Sequence, residues 1–174
     1  MNKGKVFISF HRADNKYKNH IEAILKENSI PYYCVPDNAN FDGLSHQDIA
    51  DYLCKKMDDC DILLCIVGKE TYTRPHVDWE IHNALKGDIG QRKGIVAVLL
   101  EKRLDNKNNL CLETFPVRLR ENMDYVVLEQ YASIRNTIMS AIERAKSNRN
   151  NPQIQTTHKR MPMQLRTGKY YDAN

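Results

Sequence analysis

Short apolar runs alternate with amphipathic stretches along most of the chain. Lys5 to Phe10 (KVFISF) is brief and rich in apolar and β-branched residues, which predicts a buried first strand. Tyr17, Ile21, Ile24 and Leu25 then recur at helical spacing, with Asp14 placed to cap the helix and Asn28-Ser29 placed to end it. Ile30 to Val35 reads as a second strand, and Pro31 near its start suits an early or edge position. Residues 36–43 are rich in turn formers. Ser45 opens a second helix carrying Ile49, Leu53 and Met57 four apart.

Asp61 to Val67 is the most hydrophobic strand and is predicted to be central and covered on both faces. Thr73-Arg74-Pro75 starts a third helix, because proline suits a first helical position. Val77, Ile81, Ala84 and Leu85 form its inner face, and Gly87 and Gly90 terminate it. Gly94 to Leu100 is another buried strand, residues 101–124 read as polar and irregular, and Tyr125 to Leu128 is a short last strand. Tyr131, Ile134, Ile138, Ala141, Ile142 and Ala145 mark a final helix over residues 130–148. Five strands alternating with helices imply an α/β fold with right-handed crossovers: an open, mostly parallel five-stranded sheet with helices on both faces. Ligands bind such sheets beyond the carboxyl ends of the strands. Attention therefore falls on Phe10-His11-Arg12, on residues 36–45 and on residues 68–80.

Composition narrows this picture. A chain of 174 residues suits one domain, and 41% hydrophobic with 28% charged residues is a globular balance. The longest apolar run, Ile62 to Val67, is far shorter than the roughly 20 residues of a membrane span. The apolar stretch after the basic start is too short for a signal peptide, so a cytoplasmic protein without a membrane partner is expected. The net charge of +4 sits wholly in residues 149–174, where five cations face one acid. This divides the chain into a body, residues 1–148, and a basic C-terminal extension, residues 149–174. The balanced body argues against a nucleic-acid partner, since such domains carry a basic face. The extension's cations suit an acidic partner or a phosphate backbone as well as plain solvation. The five cysteines, at 34, 54, 60, 65 and 111, lack the short hooks of zinc sites. They read as structural thiols of a reducing compartment, with Cys65 in the core, and no metal site is expected.

Several chemistries are excluded by missing motifs. No glycine-rich dinucleotide fingerprint follows the first strand, no phosphate loop is present, and no nucleophile elbow is found. The clustered acids of a phospho-receiver are absent where they are needed. What remains is Thr73 to Ile81 (TRPHVDWEI), where Glu80 flanks the apolar stripe near the helix start. Glu80 is therefore placed at the rim of the expected crevice, beside the only tryptophan. Its competing role is a simple complement to the helix dipole.

Residues 5–148 resemble a Toll/interleukin-1 receptor (TIR) domain, and are most similar to the TIR-like ThsB family of the bacterial Thoeris anti-phage systems. The resemblance rests on Val6-Phe7-Ile8-Ser9-Phe10-His11 with Asp14, and on Val77-Asp78-Trp79-Glu80-Ile81. It implies a flavodoxin-like sheet and an enzyme that cleaves NAD at the nicotinamide–ribose bond, a glycohydrolase or cyclase. NAD is then substrate, with no cofactor implied. The product would be an ADP-ribose-derived signal, cyclic or conjugated, that activates a separate effector after a phage-derived trigger. The family's catalytic glutamate falls on Glu80. Many TIR enzymes carry tryptophan four residues earlier; this chain has His76 there and its tryptophan at Trp79.

The chemistry is consistent with one carboxylate. Losing nicotinamide builds positive charge on the ribose, which a nearby carboxylate stabilises. The ring is already cationic and leaves neutral, so no strong acid is required. Phe10 or Trp79 can stack a ring or simply pack, Arg74 can neutralise the pyrophosphate or stay solvated, and His11 and His76 complete the candidate contacts. The 36–45 loop falls where TIR domains have an assembly loop, with Asp42-Gly43 as a hinge, so a homo-oligomer is a further expectation. A non-catalytic assembly module and a nucleoside deoxyribosyltransferase-like enzyme remain alternatives.

Overall fold

The computed structural model describes residues 4–35, 43–100 and 112–154. The expected assembly loop up to Asp42, Cys111 and the extension from residue 155 onward lie outside the described residues. Five strands form one sheet: β1 (Val6–Ser9), β2 (Tyr32–Cys34), β3 (Ile62–Val67), β4 (Gly94–Leu99) and β5 (Val127–Gln130). Their order is β2-β1-β3-β4-β5 and every pairing is parallel. β3 is central, β2 lies at an edge, and β3 and β4 are buried along their whole length. Strands covered on both sides carry continuous apolar runs, which is why these two are so hydrophobic.

The helices α1 (Asn15–Glu27), α2 (His46–Asp58), α3 (Pro75–Leu85), α4 (Val117–Glu121) and α5 (Ile134–Asn148) divide between the two faces. Ile21, Ile24 and Leu25 of α1 pack with Ile134, Ile138, Ala141, Ile142 and Ala145 of α5 against Val6, Ile8, Ile62, Leu64 and Ile66. On the other face α2, α3 and α4 pack against Phe7, Leu63, Cys65 and Val67 through Leu53, Met57, Val77, Ile81 and Leu119. The period of two along each strand separates these cores: alternate side chains point to opposite faces.

Local signals set the boundaries. Ser45 caps α2 in a reciprocal box with Asp48: the Asp48 amide donates to Ser45 Oγ at 3.1 Å and the Ser45 amide to Asp48 Oδ2 at 3.1 Å. α3 begins at Pro75. At its other end the chain leaves through an extended Lys86, ahead of Gly87 and Gly90 at φ +110° and +82°.

Several boundaries differ from expectation. A 3₁₀ turn, Arg12–Asp14, precedes α1, and the Asp14 side chain makes no cap bond. Instead the Asp14 carboxylate lies against Gly68, just past β3, where a Cβ would sit 2.4 Å from Oδ2. The second strand shrinks to Tyr32–Cys34, and the last strand lies at Val127–Gln130 rather than 125–128. A 3₁₀ turn, Tyr131–Ser133, delays α5 to Ile134. α4 lies inside the stretch expected to be irregular; it is too short to show a periodic stripe.

At the amino edge of the sheet Arg149 closes the body. Its Nε donates to the Arg92 carbonyl at 2.6 Å and its Nη2 to the Gly90 carbonyl at 2.8 Å. Ile154 packs against the α2–α4 core. The first described residues of the expected extension therefore run along the body. No helix among the described residues is long and apolar enough to cross a membrane.

Candidate active site

Ser9 ends β1 and pairs in register with Cys65 of β3. Both belong to the alternating set that faces α2–α4, as Phe7 and Leu63 do. α3 lies over this point and carries Val77, Ile81, Ala84 and Leu85 inward. Successive helical residues turn by about 100°, so Glu80 and Asp78 emerge on opposite flanks of that stripe.

Glu80 points toward the strand ends. It is 6% exposed, so it does not stand at an open crevice rim as expected but is closed in. Burial pushes its carboxyl up to about 8, because a charge is poorly solvated there. The neighbouring Ser9 hydroxyl opposes the rise. The Cys65 thiol is also pushed up, first by burial and then by the neighbouring Glu80. Glu80, Ser9 and Cys65 thus form one buried cluster at the carboxyl ends of the two central strands.

On the opposite flank Asp78 is 2% exposed and Arg118 of α4 is 1% exposed. Arg118 Nε donates to Asp78 Oδ1 at 2.8 Å and Nη2 reaches Oδ2 at 3.4 Å. The Asn122 side chain bonds the Arg118 carbonyl at 2.7 Å, tightening α4 around the pair.

A second cluster surrounds the turn after β3. The Gly68 amide donates to Thr71 Oγ1 at 2.8 Å, and that hydroxyl donates to the Ile66 carbonyl at 3.3 Å. This bracing leads into Glu70 and Arg74, which form an ion pair. His11, just past β1, is held below its ordinary value by burial first and then by the Arg74 charge, while Asp14 and Glu70 act the other way. His11 and Arg74 are therefore brought together.

The remaining sequence candidates are more scattered. His76 is exposed on the first turn of α3, and Trp79 is half-buried. The Phe10 side chain packs with the α1/α5 core, and Lys18 Nζ stands 5.5 Å from its ring centre. Strand alternation sends Phe10 to the face away from α3 and Ser9 to the face beneath it. Ser9, Asp78 and Arg118 are not among the candidates that the sequence pattern offers. Counting alternate positions from Phe7 identifies Ser9; Arg118 has no comparable signal in a polar stretch. Among the described residues no group of His, Cys, Asp and Glu could hold a metal ion.

The family model described as Thoeris protein ThsB, TIR-like domain, matches residues 7–105, more than half of the chain. The chain belongs to that family. The match spans β1 through β4 and includes Ser9, Cys65, Asp78 and Glu80 of this ThsB-family domain, whereas Arg118 lies beyond it. Among solved structures, the chain is similar to the TIR domains in the structure of the activated Roq1 resistosome directly recognizing the pathogen effector XopQ. The identity is 16%, the TM-score is 0.47, and 85% of this chain and 84% of that one are covered. No curated protein matches the ThsB-family chain by sequence.

Proposed function

We propose that this TIR-like domain cleaves NAD at the nicotinamide–ribose bond, with Glu80 as the catalytic residue. The observation that carries the reading is the buried Glu80 carboxyl, held at the carboxyl ends of β1 and β3 beside Ser9. In the reaction the glycosidic C–N bond breaks and its electron pair goes to the nicotinamide nitrogen, which becomes neutral. The ribose carbon takes up positive charge, and water or a nucleophile of the ADP-ribose portion then bonds to it and loses a proton. A carboxylate beside this carbon stabilises the transient cation most strongly where water is excluded.

With its value near 8, Glu80 holds a proton at neutral pH in the closed site. A permanently cationic nicotinamide ring entering beside it favours the charged form and drives the proton off. The acid is thus activated by the charge it has to recognise. Since Glu80 is 6% exposed, the substrate enters only after the wall over it moves. Low turnover by the isolated protein is expected, with assembly or a phage-derived trigger opening the site. The product is an ADP-ribose-derived signal read by a separate effector.

The test is mass spectrometry of small molecules after mixing NAD with the protein, with and without extract from infected cells. Deoxynucleosides are offered in parallel. Nicotinamide release by wild type, lost in a folded Glu80→Gln variant, supports the reading. No release from wild type under any condition overturns it in favour of an assembly module, and base exchange on deoxynucleosides in favour of a transferase.

A further inference from the structure

Glu80 and Asp78 leave α3 on opposite flanks of one apolar stripe, so rotation of the helix about its axis moves both together. One flank rests on β1 and β3, where Ser9 and Cys65 face Glu80. The other is gripped by α4, through two contacts between the Arg118 guanidinium and the Asp78 carboxylate. Both side chains are 1% exposed. A buried ion pair adds little net stability over well-packed apolar groups of the same volume, but it fixes direction in a way apolar contact does not.

We propose that the Asp78–Arg118 pair is a rotational latch that positions Glu80: it sets the angle of α3 over the sheet and keeps the Glu80 carboxyl in the buried cluster at the strand ends. Arg118 and Asp78 are positioning residues, acting on the reaction only through the placement of Glu80. This deepens the NAD-cleaving reading, while the placement itself is testable without any substrate. The latch also ties the site to α4, so whatever shifts α4 shifts the acid.

The experiment compares wild type, Arg118→Lys and the double variant Asp78→Leu/Arg118→Met. The double variant replaces the pair with apolar groups of similar bulk, so a purely structural need for a filled core is met. The readout is the ¹³C titration of the Glu80 side-chain carboxyl, assigned by its disappearance in Glu80→Gln. The expected result is a folded double variant whose Glu80 titrates lower than in wild type by about one pH unit or more, as the carboxyl reaches water. Arg118→Lys, which keeps the charge without the fork, falls in between. If wild type turns over NAD, kcat drops by about tenfold or more in the double variant while KM stays within about twofold.

An unchanged Glu80 titration in a folded double variant overturns the latch. Should that variant not fold, Arg118→Lys decides in the same way: a lowered titration supports the latch and an unchanged one overturns it. Absence of NAD turnover in wild type bears on the proposed activity alone, because the titration still reports the position of Glu80.

Discussion

The α-carbon of Gly94, at the start of β4, lies directly against the backbone carbonyl of Ala145 in α5: a methyl group there would sit 2.4 Å from the oxygen. The same methyl would meet Ile62 Cδ1 at 2.8 Å. Neither neighbour is a flexible side-chain tip on an open surface. Gly94→Ala therefore has to push α5 off the sheet, and should destabilise the protein by about 3 kcal/mol. Urea unfolding checks this; a loss under about 0.5 kcal/mol would contradict the close approach.

Glu80 gives stability an unusual slope with pH. The unfolded chain loses this proton near 4.5, whereas the folded chain keeps it until about 8. Between these values the folded state binds more protons, so this group's contribution falls as pH rises through the window and levels off above it. Glu80→Gln carries no proton to lose. Its stability advantage over wild type should grow from near zero at pH 4 to a few kcal/mol at pH 8. Urea midpoints of the two proteins across that range measure the difference.

The Asp78–Arg118 pair should behave differently when broken and when replaced. Asp78→Asn or Arg118→Met alone leaves a buried charge without its partner, which costs about 3–5 kcal/mol. Replacing both with apolar groups should recover most of that loss. A double-mutant cycle by chemical unfolding measures the coupling, and independent, additive losses would rule out the fork as drawn.

His11 should stay neutral at pH 7, because burial and the Arg74 charge both disfavour its protonation. Its contribution runs opposite to that of Glu80: as pH falls below about 6.5 the unfolded chain takes up a proton that the folded chain resists, so stability drops. Arg74→Ala removes the second cause and leaves the first. The His11 ring titration, followed by NMR, should move upward toward the ordinary histidine value without reaching it.

The centre of the sheet was readable because β3 is buried on both sides. Leu63, Cys65 and Val67 on one face and Ile62, Leu64 and Ile66 on the other leave no polar position to confuse the pattern. Helix starts were readable where a residue signals them chemically, as at Ser45 and Pro75, but Asp14 was misleading. Its carboxylate lies against Gly68, a close approach across the fold that no local rule contains. Glu80 was legible as a candidate from its flank position in α3, yet its depth depends on β1 and β3 bringing Ser9 and Cys65 side by side. Arg118 was the least visible. In a polar stretch an arginine reads as solvated, and its partner Asp78 lies 40 positions away. Such pairs are set by helix packing, and sequence periodicity does not encode them.

The cluster around Glu80 is gathered from separate stretches of chain, and β1 is far in sequence from both β3 and α3. β1 must wait for β3 to be made before Ser9 finds Cys65, and α3 follows only after that. A nascent copy stalled on the ribosome before α3 emerges, or a fragment cut after β2, carries no shielded acid. Any chemistry the acid performs is thereby confined to finished molecules.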